Sequence, residues 1–222
     1  MPVTQKISPV GNADECIRFA ELLSSRLCHD LITPVGAINT GLELLAEQPS
    51  LTSPDTQEIL DLIESSAKTS STRLSFYRTA FGSSGATVSL GDAQKLIDKF
   101  FEKSKLTFHW PVDVNPTLAM RNWGRLLING VLWVNECAPR GGDIKFTLPS
   151  LEERVLKIEL ESPHIIFHEG MVESLRGEIP VSEMSPRTVQ SYLIKLIADQ
   201  ERCTISLDHK SQQSLVLKVS AT

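Results

Sequence analysis

A run of apolar residues at three- and four-residue steps constrains this chain more than any other feature. Between residues 14 and 48, Ile17, Ala20, Leu23, Leu27, Leu31, Ile38, Leu42 and Leu45 recur with the period of a long amphipathic helix. Asn12 is the expected cap of its start. Pro34 falls inside the pattern, where it deletes one backbone donor and bends the axis, yet the stripe resumes in phase beyond it. The spacing therefore predicts one kinked helix. The segment Gln48-Pro49-Ser50-Leu51-Thr52-Ser53-Pro54-Asp55 breaks that helix and starts another, with Ser53 as N-cap, Pro54 at the first helical position and Asp55 at the positive end. The second helix, over residues 54–81, carries Ile59, Ile63, Ala67, Leu74, Tyr77 and Phe81 on one stripe. Two antiparallel helices by themselves leave one side of such stripes open. The hairpin is therefore expected to dock on its twin, forming a homodimer around a four-helix bundle.

Gly82-Ser83-Ser84-Gly85 reads as a flexible joint, after which the pattern changes. Residues 106–110, 144–148, 155–160, 203–208 and 214–220 favour strands, the third and last with visible alternation. Residues 90–103, 117–137 and 185–200 read as helices, the last introduced by Ser185-Pro186. The expected fold class is thus α + α/β: a helical hairpin over residues 12–82 and an α/β sandwich over residues 86–222, with one sheet covered by helices on one side. A hydrophobic fraction of 41% suffices for a proper core, and a net charge of -5 argues against nucleic acid, whose binders cluster Lys and Arg on one face. No run approaches the roughly 18 uninterrupted apolar residues of a membrane span, and the start lacks a basic, then apolar, leader. No membrane role and a cytoplasmic location are expected. Cys16, Cys28, Cys137 and Cys203 are scattered, which suggests reduced thiols rather than a zinc site or disulfides.

The chemistry concentrates in Arg26-Leu27-Cys28-His29-Asp30-Leu31-Ile32-Thr33-Pro34. At about 100° per residue, Leu27, Leu31 and Ile38 lie on the buried stripe, while Ser25, Arg26, His29, Thr33, Gly36 and Thr40 lie roughly opposite. His29 is expected to face water. An exposed imidazole is mostly uncharged near neutral pH, hence nucleophilic, and can accept a phosphoryl group. Asp30 is expected to accept a hydrogen bond from one ring nitrogen and leave the other to attack. Arg26, one turn earlier, is placed to pair with phosphoryl oxygens, and the small Ser25, Thr33 and Gly36 leave room for a partner. On spacing alone, however, a lone exposed histidine is more often ordinary surface. His109, His164, His168 and His209 share no ligand-like spacing, and Trp110, Trp123 and Trp133 read as core anchors.

His29 to Pro34 resembles the phosphoacceptor box of two-component sensor kinases position by position: His, acidic, apolar, any residue, Thr or Asn, Pro. Leu22-Leu23-Ser24-Ser25-Arg26-Leu27-Cys28-His29-Asp30, followed by Gly41-Leu42-Glu43-Leu44-Leu45, more closely resembles the ChpT family of histidine phosphotransferases of alphaproteobacteria. The resemblance continues through residues 73–82 and the Pro139-Arg140-Gly141-Gly142 turn. It implies a dimer that displays His29 as phosphoacceptor, with Thr33 on the docking face, and a C-terminal domain related in fold to a histidine-kinase ATPase domain. In such kinases Asn-x-x-x-Asn precedes Pro-x-Gly-Gly and holds Mg²⁺ and ATP; here those positions are Asn129 and Trp133, and an indole cannot ligate Mg²⁺. Where Asp-x-Gly-x-Gly is due the chain reads Glu161-Ser162-Pro163-His164-Ile165-Ile166, and the last glycine box is replaced by Ser185-Pro186-Arg187-Thr188-Val189-Gln190-Ser191-Tyr192. The implied protein has no cofactor or metal of its own. It takes a phosphoryl group from the receiver domain of a hybrid histidine kinase and passes it to response regulators of CtrA type, with Mg²⁺ on the partner receiver domain only. The rival readings are an ATP-dependent kinase and a dimeric adaptor that binds response regulators without being phosphorylated.

Overall fold

The computed structural model describes residues 13–47, 54–82, 87–112 and 122–221. The expected caps at Asn12 and Ser53, most of the joint at 82–85 and the first residues of the helix expected from 117 lie outside them. Two compact units emerge, one of residues 24–84 and one of residues 1–23 with 85–222, and the division falls inside the first helix.

That helix, α1, runs unbroken over Ala13–Ala46 with Pro34 inside it, and α2 follows over Pro54–Phe81. The two approach closely at Gly41, where a Cβ would come within 2.5 Å of Ile63 Cγ1; any larger side chain would force them apart. The hairpin's apolar stripes are only partly covered. Leu27, Leu31, Ile38, Leu45, Ile59 and Ile63 are half-buried, whereas Leu42 on α1 and Leu74 on α2 are each 51% exposed.

The second unit is built on a five-stranded sheet. Its elements are α3 (Leu90–Phe100), β1 (Leu106–His109), α4 (Trp123–Cys137), β2 (Gly142–Thr147), β3 (Val155–Glu161), α5 (Met171–Arg176), α6 (Val189–Gln200), β4 (Cys203–Ser211) and β5 (Ser214–Ala221). The strand order is β1-β2-β3-β5-β4, with β1 parallel to β2 and every other pair antiparallel. Period-two alternation sends Leu156, Ile158 and Leu160 of β3 and Leu215, Leu217 and Val219 of β5 to one buried face, where α4 and α6 lie. Each such side chain removed from water contributes about 1.5–3 kcal/mol before entropy is counted. Ser89 starts α3 as the sequence grammar of caps requires, its Oγ accepting from the Asp92 N–H at 3.0 Å. In the Pro139-Arg140-Gly141-Gly142 turn, Gly141 holds φ at +84°, and a Cβ there would lie 2.1 Å from the Lys105 carbonyl oxygen, so only glycine fits.

Two short elements have no counterpart in the sequence reading: α5 and a 3-10 turn at Val181–Glu183. At six and three residues they are too short to show a period. Their stretch matters nonetheless, because Val181 and Met184 bury together with Val189 and with Leu22 from the start of α1, flanked by Phe19, Leu23, Ile179 and Tyr192. The expected helix over 90–103 ends at Phe100, and that over 185–200 begins regular winding at Val189. Ser185 still opens it: the Ser185 N–H donates to Thr188 Oγ1 at 2.9 Å, and the Thr188 N–H donates back to Ser185 Oγ at 3.3 Å.

Candidate functional site

His29 stands in the middle of α1 with 86% of its side chain exposed. Ser25 and Thr33, one turn to either side, are exposed, and a Cβ on Gly36 would meet nothing within 4 Å. The imidazole is therefore approachable by another protein. Its Nδ1 lies 3.2 Å from Asp30 Oδ1. A carboxylate oxygen only accepts, so this contact places the ring proton on Nδ1 and leaves the lone pair on Nε2.

Asp30 is held from both ends by α2. Its Oδ2 accepts from the Tyr77 hydroxyl at 2.5 Å, and its backbone carbonyl accepts from the Arg73 guanidinium. The second bond has a local cause. In an α-helix the carbonyl of residue 30 accepts from the N–H of residue 34, and Pro34 has none. Arg73 supplies the donor that proline withholds. Burial, followed by the hydrogen bond to Asp30 and the repulsion of its charge, pushes the Tyr77 hydroxyl well above the ordinary tyrosine range, with Arg26 and Arg73 opposing the shift. Tyr77 thus stays protonated, and a donor, throughout the neutral range.

Arg26, expected on the outer side with His29, is less exposed than the histidine. Three residues before His29 it is rotated about 60° around the helix, and it is half-buried, its positive charge felt by the Tyr77 hydroxyl. Tyr77 and Arg73 were missed as site residues; the only sequence signal was their place in the family-like stretch 73–82.

In the second unit, the positions where a kinase would hold nucleotide are occupied by packing. Asn129 is fully buried, its Nδ2 donating to the Arg125 carbonyl at 2.9 Å, and its own carbonyl accepts from Gln190 Nε2 at 3.2 Å. Trp133, 1% exposed, donates from Nε1 to Ser191 Oγ at 2.9 Å and leans on Phe167. Ser162 Oγ donates to the Gly141 carbonyl at 2.7 Å, tying the two turns together. His109 pairs with Asp143 at 2.7 Å and His209 meets Phe167 edge-on. Among the described residues, no group of three or more His, Cys, Asp and Glu side chains is arranged to hold a metal, and no helix is long and apolar enough to cross a membrane.

The family profile described as "Histidine phosphotransferase C-terminal domain" matches residues 90–213. The Protein phosphotransferase ChpT of Brucella abortus (strain 2308) is 34% identical over 199 residues, which cover 88% of this chain and 91% of that protein. A solved structure described as "1.7 Angstrom Structure of a Bacterial Phosphotransferase" superposes with a TM-score of 0.76 at 31% identity, over 96% of this chain and 99% of that one. The chain belongs to the ChpT-type family of histidine phosphotransferases. It is a phosphotransferase of a phosphorelay, exchanging with receiver domains and response regulators, rather than an ATP-dependent kinase.

Proposed function

We propose that His29 carries the phosphoryl group. The observation that supports this most directly is the pairing of an 86% exposed imidazole with a neighbouring carboxylate at Nδ1, inside a sequence box that matches phosphoacceptor histidines. In this reading the Nε2 lone pair attacks the phosphorus of a receiver's acyl phosphate. The P–N bond forms as the P–O bond to the receiver aspartate breaks, and the aspartate leaves with the electron pair. The ring becomes a phosphorylated imidazolium, whose positive charge Asp30 offsets. Transfer to a second receiver reverses the step. The receivers supply Mg²⁺ and acidic side chains around the loose transition state. Arg26 is assigned a supporting electrostatic role and Thr33 a place on the docking face.

The hairpin is the dimerisation and phosphotransfer domain in this reading, and the α/β domain, built like a kinase ATPase domain whose nucleotide positions have been filled, helps to dock the receiver. Ile32, Val35 and Leu42 on α1 and Leu60 and Leu74 on α2 are exposed apolar side chains, which supports a homodimer formed through the hairpin. The donor is the receiver of a hybrid histidine kinase, the acceptor a response regulator of CtrA type, and the place of action the cytoplasm.

The test is transfer from a pre-phosphorylated receiver domain to the purified protein and to His29→Ala, without ATP. Label is expected on the wild type and not on the variant, whose folding stability should change by no more than about 0.5 kcal/mol because the side chain is exposed. Receiver binding with no label on either protein would instead favour the adaptor.

A further inference from the structure

We propose that Tyr77 is a positioning residue for phosphoryl transfer: its hydroxyl, reaching across from α2, holds Asp30 Oδ2 so that Oδ1 takes the Nδ1 proton of His29 and Nε2 is the attacking atom. The proposal rests on His29 being the phosphoacceptor and adds the reason why one ring nitrogen is chosen.

Adjacent residues on a helix point about 100° apart, so Asp30 does not face His29 by helix geometry alone. A free aspartate at this position would sample several rotamers, most of them directed away from the ring. Here it is 28% exposed and doubly tied to α2. Arg73 grips its backbone at the one carbonyl that Pro34 leaves without a helical donor, and Tyr77 grips one carboxylate oxygen. With Oδ2 engaged, the remaining oxygen is the one that stands 3.2 Å from Nδ1. A neutral imidazole whose Nδ1–H is held in this way presents an unprotonated Nε2, and the same carboxylate stabilises the imidazolium that forms when Nε2 takes up phosphorus. Because burial and Asp30 keep the phenol protonated, the tether persists over the working pH range. The charged and titratable groups acting on Tyr77 are Arg26 and Asp30 from α1 and Arg73 from its own helix.

The experiment uses the full-length protein, with ¹⁵N-labelled histidine, as wild type, Tyr77→Phe and His29→Ala, the last serving to assign the His29 signals among the five histidines. The ¹⁵N shifts and N–H couplings report the tautomer with no partner present; single-turnover transfer from a phosphorylated receiver reports the rate. The wild type is expected to hold His29 as the Nδ1–H tautomer and to become phosphorylated on Nε2. Tyr77→Phe is expected to mix the tautomers and to slow transfer at saturating receiver roughly tenfold or more, with half-saturation unchanged. Unaltered tautomer and rate in a folded Tyr77→Phe would overturn the proposal, and so would a wild-type ring held as Nε2–H. That second result decides the matter even should the phenylalanine variant fail to fold. Label on His29→Ala equal to wild type would instead sink the phosphoacceptor assignment, an outcome separate from the tautomer measurement.

Discussion

The hairpin of residues 24–84 and the α/β unit use the same kinds of apolar residue to opposite ends. In the α/β unit the alternating faces of β3 and β5 bury leucine, isoleucine and valine almost completely, and α4, with sheet and helices around it, buries most of its residues. In the hairpin the large exposed apolar side chains are concentrated: Ile32, Val35, Leu42, Leu44, Leu60, Leu62 and Leu74. A sheet with helices on one face closes its own core, whereas two helices have only one shared seam and leave the flanks of their stripes to water or to a partner. One region covers its apolar side chains; the other leaves many of them exposed. The exposed His29 sits on the less covered region, whereas Asn129 and Trp133 are packed inside the other.

Three perturbations test this contrast. The largest effect is expected from Val35→Glu combined with Leu42→Glu. If the hairpin's open face is a dimer interface, burying these charges costs association several kcal/mol, on the order of 5 or more, and sedimentation should show a monomer whose α/β unit keeps its strand signal by circular dichroism. A variant still dimeric would place the interface elsewhere.

Next in size, Ile158→Ala removes a side chain that is 0% exposed on β3, and should lower unfolding free energy by about 2–5 kcal/mol at any protein concentration. Ile32→Ala makes the same truncation at a residue 69% exposed. Its cost in urea melts should be near zero in dilute solution and rise with concentration. Equal, concentration-independent losses would erase the distinction between the two regions.

The smallest effect concerns the tie between α1 and α2 beside His29. Arg73→Met leaves the Asp30 carbonyl without its donor from α2 and should cost about 1–3 kcal/mol. In a Pro34→Ala background residue 34 regains an N–H for that carbonyl, so the same Arg73→Met should cost less, and a double-mutant cycle on thermal or urea unfolding measures the difference. A coupling of zero would mean that Arg73 and Pro34 act independently.

Much of the architecture was legible in residue order. The three-and-four spacing from Ile17 to Leu45 marked α1 as one helix through Pro34, and alternation marked β3 and β5. The outward direction of His29 followed from its angular offset to Leu27 and Leu31. Arg26 sits about 60° from His29 around the helix, at the edge of the outer face, and is half-buried. Periodicity assigns faces well at their centres and poorly at their edges. The segment holding α5 and the 3-10 turn was illegible for another reason: elements of a turn or two have no period, and Val181 and Met184 are ordered by burial against Leu22, which is far away in the chain.

Residue order thus fixes the long elements, the exposed stripe and the outward direction of His29, because each depends on spacing within a single helix or strand, where covalent geometry converts sequence distance into direction. What surrounds His29 depends on tertiary structure instead. Arg73 and Tyr77 reach Asp30 across 43 and 47 residues, and the partners of Trp133 lie on α6 and in the segment before α5, so these pairings depend on how separate elements are brought together in space, which no period within any one of them encodes.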